Sequence, residues 1–187
     1  EAVLNEWPQY RLEIGGIDVH FVHVRGNGPD PLPLVATHGW PSTFAELLPL
    51  VPFLTDPDAH GLEGPAFDVV IPSLPGYGFS DRPAQVGVNY RHVAGLWHRL
   101  MRGLGYERYG AQGGDFGAGI TTFMALNNPK PMIGVHLSNL EIAPYTGPGA
   151  RPLSAAERTY RERNEAFWQE EYGYKAIQST KPQTLGY

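Results

Sequence analysis

The sequence predicts an α/β fold, a mostly parallel sheet with helices on both faces, followed by the start of a helical lid. Three observations carry this. Short apolar runs at 32–37, 67–72 and 132–137 have the length and composition of buried parallel strands. They alternate with stretches of helical apolar spacing, and strands that alternate with helices imply right-handed crossovers between parallel neighbours. Finally, Gln112-Gly113-Gly114-Asp115-Phe116-Gly117 sets one acidic residue among small ones where a strand gives way to a helix.

In chain order, residues 10–14 alternate as a strand, Gly15-Gly16 turns, and residues 17–24 alternate again, so the two form a hairpin. His20 and His23 then point to opposite faces, which argues against a shared metal site. Residues 25–31 form a loop, and the strand at 32–37 runs into His38-Gly39-Trp40-Pro41-Ser42. A helix is expected from about 43 to 54. The strand at 67–72 ends in Ser73-Leu74-Pro75-Gly76-Tyr77-Gly78-Phe79-Ser80. Val93, Leu96, Trp97, Leu100 and Met101 give residues 89–104 a helical stripe, with Gly105 at the C-cap. A strand at 107–111 precedes the Asp115 turn, a helix at 118–126 follows it, and 132–137 is one more strand. After residue 139 the pattern changes to a Pro/Gly loop. Ser154-Ala155-Ala156-Glu157 reads as a capping box that opens a charged helix to about 171, and another helix begins near Tyr174. The expected division is a core over 1–140 and the start of a lid over 141–187.

Composition bounds the function. A chain of 187 residues with 42% hydrophobic and 18% charged content has enough material for a real core. A net charge of −5 without a basic run gives no sign of nucleic-acid binding. Cysteine is absent, which excludes disulfides and cysteinyl metal sites and fits a reducing compartment, so a cytoplasmic location is expected. No apolar stretch is long enough for a transmembrane segment. The high Gly and Pro content is interleaved with apolar strands and signals tight turns rather than disorder.

The Asp115 stretch has the design of a nucleophile elbow. The turn is so sharp that its central residue is strained, and side chains at Gly113 and Gly117 would clash. A carboxylate at that position can attack an electrophilic carbon and form an alkyl ester. The alternative is a plain helix N-cap, which Asp also favours. Ligands in such sheets bind beyond the carboxyl ends of the strands, and the His38, Pro75 and Asp115 stretches all follow strand ends.

His38-Gly39-Trp40-Pro41, Leu74-Pro75-Gly76-Tyr77-Gly78-Phe79-Ser80, the Asp115 elbow and Gly173-Tyr174-Lys175-Ala176-Ile177-Gln178-Ser179-Thr180-Lys181-Pro182 occur in this order. Together they resemble the microsomal-type epoxide hydrolases of the α/β-hydrolase fold, from about Trp7 onward. The resemblance implies that Asp115 is the nucleophile and that Tyr174 on the lid donates a proton to the epoxide oxygen. It implies that the backbone N–H groups of Trp40 and Phe116 form an oxyanion hole and that their side chains line an apolar substrate pocket. It implies a lipophilic epoxide as substrate, with no metal and no organic cofactor. Tyr172 lies two residues from Tyr174, so at most one of them faces the nucleophile. Tyr174 also has a reading as a packing residue, and His38 reads as a structural part of its loop.

The family also uses a late catalytic histidine with a supporting acid. The histidines here, at 20, 23, 38, 60, 92, 98 and 136, all come too early to match. The expectation is therefore that the rest of the same protein supplies these groups, that residues 1–187 alone stall at the ester, and that the strand near Ile133 is a bare sheet edge. Homo-oligomerisation stays open. Two alternatives remain. One is a haloalkane dehalogenase-like hydrolase, which Phe116 in place of a halide-binding Trp disfavours. The other is a non-catalytic remnant that binds ligands or partners, which a retained elbow disfavours.

Overall fold

The computed structural model describes residues 2–139 and 143–186. It falls into two compact units, Glu1–Leu140 and Glu141–Tyr187. Residues 140–142, at the expected boundary, lie outside the described residues.

The first unit runs α1 (Ala2–Asn5), β1 (Gln9–Ile14), β2 (Ile17–Val24), β3 (Leu32–Thr37), a 3₁₀ stretch (Phe44–Leu50) and α2 (Val51–Thr55). A 3₁₀ turn (Asp58–His60) leads to β4 (Phe67–Pro72), α3 (Tyr90–Gly103), β5 (Tyr109–Gly113), α4 (Phe116–Asn127) and β6 (Met132–Leu137). The sheet order is β1-β2-β4-β3-β5-β6. β2 pairs antiparallel with β1 and with β4, and the remaining pairs are parallel.

Helices cover both faces, as the pattern predicts. Alternation along the strands sends Val19, Phe21, Val35, Val70 and Ala111 against α3 and α4, around a fully buried Trp97. Their neighbours Val22, Ala36, Val69 and Ile71 meet Phe44, Leu48 and Val51 on the opposite face. That second cover is partial. An apolar groove of about 530 Å³ stays open on the sheet, lined by residues such as Leu34, Ala36, Leu47, Val69, Ile71 and Val135. β6 forms the expected edge, with Ile133 and Val135 each 47% exposed.

Two elements depart from the sequence expectation. The helix expected over 43–54 is a 3₁₀ stretch followed by a short α-helix, with Thr43 as N-cap. Pro49 and Pro52 lie within it, and each removes a backbone donor that one continuous α-helix would need. β5 sits two residues later than expected, because Thr37 of β3 pairs with Gly113 and draws the strand up to the elbow. His20 is buried, bonded to Ser73 Oγ at 2.8 Å and to Gln9 Oε1 at 2.9 Å.

The second unit holds α5 (Ala155–Glu171), α6 (Gly173–Thr180) and α7 (Pro182–Gly186). The capping box at Ser154 and Glu157 is formed. Trp168 packs against Tyr172 with ring centroids 4.6 Å apart, and the Lys175 ammonium lies 4.6 Å from the Trp168 ring centroid. Among the described residues no helix is long and apolar enough to cross a membrane.

Candidate active site

Asp115 is the one non-glycine residue with positive φ among the described residues, at φ 49° and ψ −120°. Such a conformation costs on the order of 1–3 kcal/mol and persists only where the surroundings impose it. The surroundings are the crossing of β5, α4 and the loop after β3. A Cβ at Gly113 would stand 2.1 Å from the Gly117 carbonyl oxygen, and one at Gly117 would stand 2.1 Å from that of Thr37. Neither neighbour is a side chain that can swing aside, so both positions demand glycine. The elbow expected from the sequence is present in full.

The end of β3 is fixed by the core. Thr37 Oγ1 accepts the buried Trp97 indole N–H at 3.1 Å, which ties the strand end to α3. Past Thr37 the chain turns through His38 and Gly39 and brings Trp40 beside the elbow. The Trp40 N–H donates to Asp115 Oδ1 at 2.9 Å, and the Phe116 N–H donates to the same oxygen at 2.7 Å. Asp115 is also the N-cap of α4, where aligned peptide dipoles favour negative charge. Oδ1 is thus held by two backbone donors, while Oδ2 takes neither bond.

Two tyrosines lie close to this part of the chain. Tyr90, at the start of α3, packs against Phe116 with ring centroids 5.4 Å apart and planes tilted by 57°. Tyr77 lies edge-on to His38 at 5.6 Å, and its phenol is pushed up, first by burial and then by the Asp115 charge. Tyr90 was not singled out by sequence reasoning. The signal available was Gly119, a glycine inside a helix, since a Cβ there would lie 2.6 Å from the Tyr90 ring.

Asp115, Trp40 and Phe116 are therefore brought together in the first unit. Tyr174 lies on α6 in the second unit and is 55% exposed. The open apolar groove lies on the sheet face, lined by neither Asp115, Trp40 nor Phe116. Three of the histidines are engaged away from the carboxylate. His98 bonds the Tyr109 hydroxyl and the Met124 carbonyl, His23 bonds Tyr106, and His136 borders the groove. No group of metal ligands occurs among the described residues.

Comparison with known proteins fits this geometry. Residues 1–47 match the model of the epoxide hydrolase N terminus, and residues 33–183 match that of the alpha/beta hydrolase fold. A provisionally named epoxide hydrolase of Stigmatella aurantiaca is 45% identical over all of this chain. Epoxide hydrolase 1 of Oryctolagus cuniculus is 35% identical over 98% of it. The chain spans 42% of the first relative and 45% of the second. The Aspergillus niger epoxide hydrolase structure superposes with a TM-score of 0.76 at 33% identity, over 99% of this chain and 48% of that one. The juvenile hormone epoxide hydrolase of Bombyx mori gives 0.72 at 32% identity, over 99% and 42%. With its strained acidic elbow, its sheet order and a family match over most of its length, the chain belongs to the α/β-hydrolase fold family.

Proposed function

We propose that this chain carries the nucleophilic part of an epoxide hydrolase that opens a lipophilic epoxide to a vicinal diol. The observation that carries the reading is the carboxylate of Asp115, with Oδ1 bonded to the Trp40 and Phe116 N–H groups and Oδ2 outside those bonds. In the proposed reaction Oδ2 attacks the less hindered ring carbon. The C–O bond of the ring breaks, an alkyl ester forms on Asp115, and the ring oxygen takes a proton from the Tyr174 hydroxyl. Water, deprotonated by a histidine base, then adds to the ester carbonyl carbon. The oxyanion formed is Oδ1, already between its two donors, so no reorganisation is needed when charge develops. On collapse the C–Oδ2 bond breaks, the protonated base gives its proton to the departing Oδ2, the carboxylic proton left on Asp115 returns to the Tyr174 phenolate, and the diol leaves with the water oxygen retained on Asp115. The resemblance to epoxide hydrolases supports that base, and none of the histidines bonded within the first unit is offered for the role. No metal or organic cofactor enters the reaction.

Trp40 and Phe116 next to the nucleophile, with Tyr90 against Phe116, favour an aryl-substituted epoxide over a small polar one. A direct test offers styrene oxide and 1-chlorohexane in parallel and reads covalent adducts by intact mass. Adduct with the epoxide alone supports the proposal. Adduct with the chloroalkane alone shifts the reading to a dehalogenase-like hydrolase.

A further inference from the structure

We infer that His38 is a positioning residue that aims the Trp40 N–H at the nucleophile by holding the carbonyl of the same peptide unit. This rests on the reading of Asp115 as nucleophile. The Gly39 carbonyl and the Trp40 N–H share one planar peptide. The Gly39–Trp40 unit is trans, so its carbonyl and N–H point in opposite directions. Whatever fixes the carbonyl therefore fixes the N–H. His38 Nδ1 lies 2.9 Å from Gly39 O, and Trp40 N lies 2.9 Å from Asp115 Oδ1.

The other side of the ring dictates which nitrogen carries the proton. The Leu74 N–H donates to His38 Nε2 at 3.1 Å, and a backbone N–H can only donate. Nε2 is therefore bare, and Nδ1 holds the hydrogen that it gives to Gly39. The ring is fully buried, and burial pushes its pKa down, which keeps it neutral. His38 so spans the loop after β4 and the loop after β3, transmitting the position of one backbone to the other. Its bond to the carbonyl also polarises the peptide and strengthens the N–H on the far side. Glu46 Oε1 holds the preceding unit by accepting the Gly39 N–H at 3.2 Å. A side chain that only filled space would need neither the matched donor and acceptor nor a single tautomer.

Imidazole nitrogen NMR on the unmodified chain reads the tautomer directly. A protonated Nδ1 with a bare Nε2 is expected, and the opposite tautomer overturns the proposal without any variant. His38→Asn keeps a donor near the Nδ1 position and drops the Leu74 bond, whereas His38→Gln keeps an acceptor near Nε2 and drops the donor. The Trp40 amide proton is expected to stay downfield in H38N and move upfield in H38Q. Hydroxylamine cleavage of the styrene oxide ester on Asp115, which needs no protein base, is expected to slow about tenfold in H38Q, below the loss from deleting a donor outright. Equal behaviour of both variants in both readouts overturns the proposal and leaves His38 a packing residue. Absence of any ester in the unmodified chain would sink the nucleophile reading, while the tautomer and the Trp40 amide still decide the role of His38.

Discussion

Trp40 donates its backbone N–H to Asp115 Oδ1 at 2.9 Å, joining residues 75 positions apart. The parallel pairing of β3 with β5 makes that meeting. Thr37 stands opposite Gly113, so the loops leaving the two strands start level and converge within a few residues. The site is a consequence of sheet register, held by glycines where the loops cross.

Gly117→Ala should therefore unfold the elbow and the sheet end with it. The added Cβ would meet the Thr37 carbonyl at 2.1 Å, and backbone on both sides resists movement. A loss of about 3 kcal/mol or more is expected in denaturant unfolding. Gly95→Ala, inside α3 with nothing within 4 Å of its added Cβ, should instead gain roughly 0.5–1 kcal/mol. Similar effects of the two substitutions would contradict the steric account.

Tyr174→Phe keeps the ring on α6 and removes the hydroxyl. If that hydroxyl protonates the opening epoxide, formation of the Asp115 ester should slow by roughly 10²-fold, with Tyr172→Phe near the unmodified rate. Tyr172 packs against Trp168. Rapid-quench mass spectrometry on the two variants separates the hydroxyls. Equal rates for Tyr174→Phe and the unmodified chain would remove Tyr174 from the mechanism.

Acid should weaken the first unit through His20. Burial, with a smaller contribution from Arg11, pushes its pKa down from 6.5 to about 4. The unfolded chain then binds a proton that the folded one resists. Stability is full above about pH 6.5 and falls as pH drops towards 4, by on the order of 3 kcal/mol from this group. Burial lowers His38 as well, which adds loss of the same sign. The gap between denaturant midpoints at neutral and mildly acidic pH should narrow in His20→Gln, and an unchanged gap would contradict this assignment.

The edge strand makes a prediction about solubility. Ile133 and Val135 are half-exposed on β6, beside the open apolar groove, and a bare apolar edge invites pairing. Light scattering of residues 1–187 should rise with concentration, and Val135→Lys should suppress the rise. Scattering that is flat in both would show that the edge is protected.

Much of this was legible in the sequence because the constraints are local. Residues 113 and 117 must be glycine for backbone reasons, so the elbow announces itself, and the bounds of β2, β3, β4 and β6 follow from short apolar runs. Pro49 and Pro52 were visible too, yet the apolar spacing over 43–54 masked the break they force. The two-residue shift of β5 depends on its partner strand, which no local pattern encodes. The same holds for Tyr90 against Phe116, and for His38, whose significance lies in a bond to Leu74 from another loop.

The central claim is that Asp115 is a nucleophile. Its most direct test is the intact mass of residues 1–187 after incubation with styrene oxide, beside Asp115→Asn. The amide oxygen of Asn can still accept the Trp40 and Phe116 N–H groups, so the control keeps the elbow's hydrogen bonds. An added mass of one substrate molecule, absent from the control, is the predicted result. An adduct that persists in Asp115→Asn, or no adduct in folded unmodified protein, would contradict it.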